Sequence, residues 1–399
     1  MDLGDEPTEG QGKTEGQGKS GEPDYRWPVP QSAYIHVPFC RHRCGYCNFS
    51  VVAGRDDLAD RFLAAIDLEL ERLERPAIKT LFIGGGTPTH LSVQQLDSFL
   101  GSLCSRLEVL PEVEWSVEAN PEDITDEKLD VLVSHGVNRI SLGVQSFDQR
   151  KLGILQRSHT GDVAQEIVRA TAQRIENLSI DLIFAAPGES LDDWTLDLRT
   201  ALSLPIVHLS TYALTFEKGT TFWNRHRRGE LKGVSEQTEV DMYEVTREMT
   251  SQIGLEHYEV SNFARAGSRC RHNVAYWQGR GWYAAGPGAA SFANGQRNVN
   301  HRSTTTYLRR MESGQSPVAE SESITPLQYA RERAAFGIRM IDGIDVSQLS
   351  EETGVDLHDQ LDAVIDKLVV GGLLAETGGR IRLTPKGVLF ADTVASEFL

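Results

Sequence analysis

The feature that most constrains the fold of this chain is an alternation of short apolar runs with longer segments of helical spacing. Between the first two runs, Phe62, Ile66 and Leu70 recur at four-residue steps, which places them on one face of a helix. Strands that alternate with helices predict a parallel sheet with the helices packed outside it. Six such units predict an α/β fold, a partial (β/α)6 TIM-like barrel, with a doubly wound open sheet as the alternative. The predicted strands are Tyr34–Val37, Thr80–Ile83, Glu114–Val117, Arg139–Val144, Ser179–Phe184 and His208–Leu214.

The second helical segment also carries a signal for its start. Leu96, Leu100 and Leu103 share one helix face, and Ser92 precedes them at the position of an N-cap. We therefore expect a helix that begins directly after Ser92.

The N-terminal segment lies outside this alternation. It contains the hexamer Thr-Glu-Gly-Gln-Gly-Lys twice in succession, at 8–13 and 14–19, and almost no apolar side chain. Such a segment cannot offset its own ordering entropy, so residues 1–26 are predicted to be a disordered tail rich in acidic residues and glycine. The barrel unit is then predicted to occupy residues 27–320.

A second unit is predicted over residues 321–399. Tyr329–Met340 and Leu357–Val370 have the spacing of helices, and two short apolar runs flank Gly378-Gly379, a hairpin signal. Helices followed by a hairpin indicate an α+β, winged-helix-like domain. The segment holds 13 acidic and 7 basic side chains, which is the wrong sign for binding duplex DNA. An interaction or lid module is the better prediction.

Composition narrows the functional classes. The 399 residues carry a formal net charge of −17, which argues against a nucleic acid as partner because such a partner needs concentrated positive potential. Five cysteines in a long chain do not resemble a disulfide-stapled secreted domain. The chain has no apolar run long enough to span a membrane and no secretory signal pattern. These features predict a cytoplasmic enzyme or carrier.

Chemically distinctive residues share one position relative to the predicted strands. A cysteine cluster follows the first strand, Gly84–Thr87 follow the second, Glu118 ends the third and Gln145 ends the fourth. Parallel α/β folds place their chemistry at the carboxyl ends of the strands. The pattern therefore predicts one shared site at that end of the barrel.

The cysteine cluster is the strongest chemical signal. Cys40, Cys44 and Cys47 have C-x3-C-x2-C spacing, and three thiolates on one loop can bind three irons of a [4Fe–4S] cluster. The fourth iron is then open to an exogenous ligand. A zinc site with His42 or a distant residue as fourth ligand is the rival interpretation. Three unrelated buried thiols are disfavoured because basic side chains surround the loop.

The loop Cys40-x3-Cys44-x-Tyr46-Cys47 resembles the signature of the radical S-adenosylmethionine (SAM) superfamily. Two further segments, Gly84-Gly85-Gly86-Thr87-Pro88-Thr89 and Gly143-Val144-Gln145-Ser146-Phe147, are similar to a narrower group in it. That group contains oxygen-independent coproporphyrinogen III dehydrogenase and the HemW-type haem chaperones. The resemblance implies a [4Fe–4S] cluster held by Cys40, Cys44 and Cys47, with SAM on the open iron.

The resemblance also implies a set of SAM contacts. Gly85, Gly86 and Thr87 match positions that hold the methionine end of SAM. Arg157 suits its carboxylate because the guanidinium is a fixed fork of donors. The remaining matching positions are Tyr34, Tyr46, Glu118, Gln145, Asp181 and Ala213. Taken one at a time, each of these residues is also compatible with a structural role.

Two features distinguish between the branches of this group. The dehydrogenase has a fourth cysteine two residues after the third, where this chain has Phe49. The segment His272-Asn273-Val274-Ala275-Tyr276-Trp277 matches the H-N-x-x-Y-W motif of the HemW-type branch. The match implies His272 as a haem ligand beside aromatic side chains. Cys270 and His36 are further candidates for the ligand, since thiolate and imidazole both bind haem iron.

The resemblance thus implies a haem chaperone that binds haem and transfers it to an acceptor protein, with a membrane respiratory protein as one candidate acceptor. The alternative is a radical enzyme, oxygen-independent coproporphyrinogen III dehydrogenase, which carries out an oxidative decarboxylation in haem biosynthesis. The retained SAM positions keep enzymatic activity open. If radical chemistry occurs, a reductant such as flavodoxin or ferredoxin is a further partner.

Overall fold

The computed structural model describes residues 25–399, and six parallel strands form the centre of its main sheet. Each strand pairs in parallel with the next strand along the chain. All six predicted strands are present. They are β1 (Ser32–Val37), β2 (Ala77–Gly85), β3 (Glu108–Ala119), β4 (Arg139–Gln145), β5 (Asn177–Phe184) and β6 (His208–Ala213).

The strand order decides between the two predicted architectures. A doubly wound sheet reverses its order at a switch point, whereas here the spatial order from β1 to β6 is the chain order, as in a barrel. After β6 come two antiparallel edge strands, β7 (Glu256–Glu259) and β8 (Asn262–Ala264), and β9 (Tyr283–Ala285) pairs with β1 on the other side. Within residues 25–399 the two end strands, β7 and β9, do not pair with each other, so the barrel is partial.

Helices cover the outside of this sheet. The buried residues of the first two include Phe62, Ile66, Leu96 and Leu100, which confirms the predicted helix faces. The helices up to the end of the barrel unit are α1 (Ala59–Glu71), α2 (Val93–Arg106), α3 (Asp126–Ser134), α4 (Gln149–Ile154), α5 (Gly161–Ala172), α6 (Leu191–Leu202), α7 (Thr221–Arg227), α8 (Glu236–Gln252), α9 (Arg271–Trp277) and α10 (Thr304–Glu312).

A small antiparallel sheet follows the barrel strands. It consists of β10 (Ala290–Ala293), β11 (Gln296–Asn300) and β12 (Val318–Ser323). Since β12 crosses the boundary predicted between residues 320 and 321, the C-terminal unit starts after this strand.

A buried carboxyl group ties this region to the first helix. Glu69 of α1 accepts hydrogen bonds from the Gly286 N–H (2.9 Å), the Asn300 side-chain amide (2.6 Å) and the Tyr307 hydroxyl (2.7 Å). These donors compensate for the removal of the carboxylate from water. The carboxyl group therefore fixes where the later segment packs on the barrel.

At its N-terminal end, the described chain begins with aromatic packing. Tyr25 contacts Trp27, and Trp27 packs against Phe292 and Tyr329. Two residues that the sequence assigned to the tail, Tyr25 and Arg26, thus belong to the described structure. The rest of the predicted tail, including both hexamers, lies outside the described residues.

The C-terminal unit has the predicted winged-helix-like topology. A short strand after the first helix pairs with the second strand of the hairpin, giving the sheet order β13-β15-β14. Gly378 and Gly379 at the hairpin turn have φ angles of +60° and +78°, which glycine adopts without strain. The elements are α11 (Pro326–Gly337), β13 (Ile344–Asp345), α12 (Val346–Thr353), α13 (Leu357–Val370), β14 (Leu374–Thr377), β15 (Arg380–Leu383), α14 (Pro385–Val388) and α15 (Ala391–Glu397).

Among residues 25–399, no helix combines the length and the apolar composition that crossing a bilayer requires.

The predicted start of α2 is confirmed and gives a stability test. Ser92 and Gln95 form a capping box, in which each side chain bonds the backbone N–H of the other residue. Replacement of a serine N-cap by alanine costs about 1 kcal/mol. Ser92→Ala should lower the free energy of unfolding by about that amount in urea denaturation. Ser105→Ala, near the other end of the same helix, is the control, and an equal loss in both variants would contradict the capping role.

Candidate functional site

One cavity of about 360 Å³ opens at the carboxyl ends of the barrel strands. We call it the upper cavity. Polar groups from the loops after several strands converge on it, as the positions of the distinctive residues predict. Most of the predicted site residues line it, namely Cys40, Cys44, Tyr46, Cys47, Gly85, Gly86, Thr87, Glu118, Gln145, Arg157, Asp181 and Ala213.

The cysteine loop is held in place by α7. A side-chain carbon at Gly45 would lie 2.3 Å from the Phe222 ring, so only glycine allows this close approach. The Phe222 N–H donates to the Gly45 carbonyl oxygen (2.8 Å), and the Tyr46 ring packs edge-on against Phe222. The loop therefore presents its three thiols from a fixed position.

The three thiols of the cysteine loop line the upper cavity together. Within residues 25–399, no three histidine, cysteine or acidic side chains lie close enough together to hold one ion. A [4Fe–4S] cluster instead binds each thiolate to a different iron. Burial raises the pKa of the Cys40 thiol to about 12 and also raises that of Cys47. A positively charged cluster would stabilise their thiolates.

The glycine turn packs tightly against the first strand. Gly85 has a φ of +102°, and a side-chain carbon there would lie 2.3 Å from the His36 ring. At Gly86 such a carbon would lie 2.6 Å from the Phe39 carbonyl oxygen. The Gly86 and Thr87 N–H groups donate to the Val37 and Phe39 carbonyl oxygens, so the turn is fixed and its backbone lines the cavity with no glycine side chain in the way.

Arg157 connects three loops of the upper cavity. Its Nη2 donates to the Asn120 Oδ1 (2.6 Å) and to the Gly143 carbonyl oxygen (2.9 Å), and its Nη1 lies 3.7 Å from the Cys44 Sγ. Asn120 also donates to the Thr87 hydroxyl (2.7 Å). Sequence reasoning missed Asn120, although its position directly after β3 is a signal that could have found it.

Gln145 lies in a strained backbone conformation. Its φ is +66°, in the left-handed region that glycine favours, and the pairing of β4 with β5 shifts register between Gly143 and Gln145. The next residue is anchored, since the Ser146 hydroxyl donates to the Asp197 Oδ2, which also pairs with Lys151 at 3.1 Å. A buried ion pair thus holds the strained end of β4 at the cavity.

Two buried carboxyl groups face the upper cavity. Glu118 accepts the Gly85 N–H (2.9 Å), and Asp181 accepts the Ser141 hydroxyl (2.9 Å). Burial raises the pKa of Glu118 to about 7 and that of Asp181 to about 6. The Gly85 N–H opposes the first shift, and the charge of Asp181 adds to it. Such groups accept hydroxyl or ammonium donors.

Two predicted site residues, Tyr34 and His272, lie elsewhere. They line a second space of about 710 Å³ inside the barrel, which we call the interior cavity. The two cavities share a wall that includes Phe49, Glu118, Asp181 and Tyr212. The Tyr34 hydroxyl lies 3.0 Å from the His36 Nδ1 and not in the upper cavity. Tyr212, which no motif indicated, separates the two spaces.

His272 lines the interior cavity and has one unpartnered ring nitrogen within the described residues. Its Nδ1 lies 3.0 Å from the Thr80 hydroxyl, its ring stacks on Phe82, and its buried Nε2 has no partner within the described part of the chain. Burial lowers the pKa of His272 to about 3, so the imidazole is neutral near pH 7. A neutral imidazole is the form that binds a metal ion.

The other two candidate haem ligands are already engaged. His36 contacts Tyr34 through Nδ1 and the Ser50 carbonyl oxygen through Nε2 (2.9 Å). Cys270 donates its thiol to the Glu114 carboxylate (3.5 Å), and burial raises its pKa to about 12. Of the three candidates, His272 therefore offers the best ligand atom.

The pKa of Glu118 gives a pH-dependent test. The folded protein holds the Glu118 proton more tightly than the unfolded chain, so the contribution of Glu118 to the free energy of unfolding falls as pH rises from about 4.5 to about 7. Glu118→Gln should remove this contribution, about 3 kcal/mol, from the pH dependence of the ligand-free protein, measured by urea denaturation across this range. Glu217→Gln, on the exposed rim of the same cavity, should keep the parental slope. An unchanged slope in Glu118→Gln would contradict the raised pKa.

Comparisons with known proteins agree with this geometry. A family model described as "Radical SAM superfamily" matches residues 34–201, and one described as "HemN C-terminal domain" matches residues 324–390. Membership of this superfamily implies a [4Fe–4S] cluster and SAM as cofactors. The solved coproporphyrinogen III oxidase (HemN) of Escherichia coli has a TM-score of 0.82 at 21% identity, over 93% of this chain and 90% of that chain, which shows the same fold.

Curated relatives extend over nearly the whole chain. The heme chaperone HemW of Bacillus subtilis is 34% identical over 92% of this chain and 99% of its own length. HemW of Mycobacterium tuberculosis is 35% identical, over 93% and 95% of the two chains, and HemW of Escherichia coli is 30% identical, over 93% and 98%. Together with the fold and the cysteine loop, this similarity shows that the chain belongs to the HemW-type haem chaperone family of the radical SAM superfamily.

Proposed function

We propose that this protein binds haem in the interior cavity, with the His272 Nε2 as iron ligand, and passes it to an acceptor protein. The observation that carries the proposal is the buried, neutral His272, which lines a cavity of about 710 Å³ and whose Nε2 has no partner in the described residues. Ligand cavities of about 300–1,000 Å³ are usual for large cofactors.

The surroundings of His272 suit a metalloporphyrin. Phe82, Tyr276 and Trp282 supply aromatic surface to the interior cavity, and the Tyr276 ring lies 5.0 Å from the His272 ring. If Nδ1 carries the proton and donates to Thr80, the lone pair is on Nε2, the atom without a partner in the described residues. Thr80 thus acts as the partner that orients the ligand.

A buried ion pair positions the segment that carries His272. The Glu114 carboxylate accepts the His272 backbone N–H (2.9 Å) and pairs with the Arg139 guanidinium (3.1 Å). Arg139 also donates to the Ser268 carbonyl oxygen (2.9 Å). Glu114 and Arg139 are therefore positioning residues, which hold the start of α9 against the floor of the barrel.

In the upper cavity, we assign the three loop cysteines to the cluster and the surrounding polar groups to SAM. The cluster supplies one electron to SAM in radical SAM chemistry, as the superfamily resemblance implies. Arg157 is suited to a carboxylate, whereas Glu118 and Asp181 are suited to ammonium or hydroxyl donors. The backbone of Gly85 and Gly86 allows close approach of the methionine end.

The partners and the location follow from the same chemistry. We assign haem as the cargo and a haem-binding protein as the acceptor, with a membrane respiratory protein as one candidate. Flavodoxin or ferredoxin would be the reductant if radical chemistry occurs. We place the protein in the cytoplasm, because all five cysteines are unpaired and an iron–sulfur protein with free thiols suits a reducing compartment.

One observation keeps the enzymatic alternative in view. The upper and interior cavities share a wall at Glu118, Asp181 and Tyr212, so a porphyrinogen in the interior cavity would lie next to the SAM pocket. Phe49, which replaces the fourth cysteine of the dehydrogenase, also lines both cavities. Oxidative decarboxylation of coproporphyrinogen III is therefore the reaction against which the chaperone proposal is tested.

The experiment uses the full chain after anaerobic reconstitution of the cluster. Titration with haem should give stoichiometric binding with a shifted Soret band, whereas incubation with coproporphyrinogen III, SAM and a reductant should give no protoporphyrinogen. His272→Ala should weaken haem binding at least about tenfold, and added imidazole should restore the spectrum. Turnover to protoporphyrinogen with release of 5′-deoxyadenosine would overturn the chaperone proposal in favour of the dehydrogenase.

Cys44→Ala tests the cluster assignment separately. The variant should lose nearly all of the about four irons and four acid-labile sulfides per chain that a [4Fe–4S] cluster contains. Its far-UV circular dichroism should match that of the parent, because the barrel core does not include this loop. Cys104→Ala, an exposed cysteine on α2, is the matched control and should keep both iron and sulfide. Full iron and sulfide content in Cys44→Ala would rule out this ligand set.

A further inference from the structure

Arg339 lies where the C-terminal unit meets the barrel. It follows α11, next to Met340, which bridges to Glu259 at the outer edge strand of the main sheet. Its side chain lines the interior cavity together with Trp277 and Phe336. The C-terminal unit therefore contributes a cationic group to the cavity that we assign to haem.

The guanidinium of Arg339 is only partly committed. Its carbon lies 4.8 Å from the centre of the Trp277 ring, a cation–π contact, and its Nη1 pairs with Asp392. Its buried Nε has no partner within residues 25–399. The side chain of Asp392 is 91% exposed, and an ion pair with such an exposed group contributes little to stability. A second anion can therefore compete with Asp392 for the guanidinium.

Arg139, the other arginine of the interior cavity, is less available. Its Nε pairs with Glu114, and its Nη2 donates to the Ser268 carbonyl oxygen. Its buried Nη1 has no partner within residues 25–399, but the rest of the guanidinium is held in this pair. Both side chains of the Arg139–Glu114 pair are more than nine-tenths buried. Breaking such a pair leaves a buried charge without its partner, which is costly. Arg339 is therefore the better site for an incoming anion.

A second opening reaches Arg339 from the surface. A groove of about 430 Å³ runs between the barrel edge and the C-terminal unit, and it shares Arg339, Tyr212 and Ser261 with the interior cavity. Leu389 and Phe390 form part of its outer rim and are partly exposed. Arg339 thus stands at the junction between the interior of the barrel and this lateral groove.

We propose that Arg339 binds a propionate of haem, so that the C-terminal unit forms part of the haem site and the propionate edge faces the lateral groove. This inference rests on the proposed function. Haem carries two propionates, and a guanidinium offers a carboxylate two parallel N–H donors. The wall shared with the upper cavity carries the carboxyl groups of Glu118 and Asp181 and, among the described residues, no arginine or lysine, so it offers the propionates no cationic partner.

Glu259 is an acidic group of the interior cavity on the side of Arg339. It does not strongly oppose a propionate bound to Arg339. Glu259 accepts hydrogen bonds from the Ser261 N–H (3.0 Å) and from the Asn262 side chain. Burial raises its pKa, and the charge of Arg339 opposes that shift. The backbone and side-chain donors thus already engage this carboxyl group.

The test compares haem with haem dimethyl ester, in which both propionates are blocked. Affinities are measured for the reconstituted full chain in the same mild detergent. The parent should prefer haem over the ester, and Arg339→Gln should reduce this preference at least about tenfold, because one charge-assisted hydrogen-bonded pair is lost. Arg339→Lys keeps the positive charge but not the two parallel N–H donors of the guanidinium, and it should retain part of the preference for haem over the ester.

Asp392→Asn is the matched control. It removes the same ion pair, which lies within the C-terminal unit, but leaves the Arg339 guanidinium in place. The preference of this variant for haem should equal or exceed that of the parent. If Asp392→Asn loses the preference as Arg339→Gln does, the effect is structural and the propionate contact is refuted.

The outcomes also separate this inference from the proposed function. If the parent binds no haem, or if binding is insensitive to His272→Ala, the proposed function fails. If the parent binds haem through His272 but Arg339→Gln keeps the full preference for haem over its ester, only the inference about Arg339 fails.

Discussion

The structure depends on a barrel that six parallel strands do not close. In a complete eight-stranded barrel, bulky branched side chains meet along the axis and fill the interior. Here the inward positions of the later strands are polar, and three of the seven are serines. On alternate residues they are Arg139 and Ser141 in β4, Ser179 and Asp181 in β5, and His208, Ser210 and Tyr212 in β6. Because the sheet does not close and these side chains are polar, the interior cavity beneath the upper cavity is large enough for a second ligand.

Buried polar groups at the floor of this space are held by long-range partners. His208 contacts the Ser179 hydroxyl (2.7 Å) and the Tyr258 hydroxyl (2.9 Å), and Glu114 joins Arg139 to the start of α9. Each such group has lost its contact with water and requires a partner of matching polarity. Buried partners therefore fix the floor, whereas the side that faces the C-terminal unit also carries the partly exposed Arg269–Asp342 and Arg339–Asp392 pairs, which exchange more easily.

The sequence predicted the strands, their order and the upper cavity because period-two and helical spacing mark local structure and parallel strands bring their ends together. It did not predict that Tyr34 and His272 line a separate cavity. That separation depends on pairs distant in sequence, such as Thr80 with His272, which no local pattern encodes. The same limit explains why His36 remained a candidate ligand until its contacts with Tyr34 and Ser50 were seen. Asn120 was missed because an asparagine at a strand end is chemically unremarkable until the guanidinium it binds is located.

The pairing of β1 with β9 has a consequence for synthesis on the ribosome. As the chain emerges, β1 can pair with β2 early, but its other edge stays open until Tyr283–Ala285 leave the exit tunnel. During that interval the nascent chain presents an unpaired apolar strand, and Glu69 lacks Gly286, Asn300 and Tyr307, the donors that satisfy it in the finished fold. Unpaired edges of this kind promote association between chains. The nascent chain is thus more prone to aggregate than the completed protein. A cluster inserted before the chain leaves the ribosome would bind to an incomplete barrel.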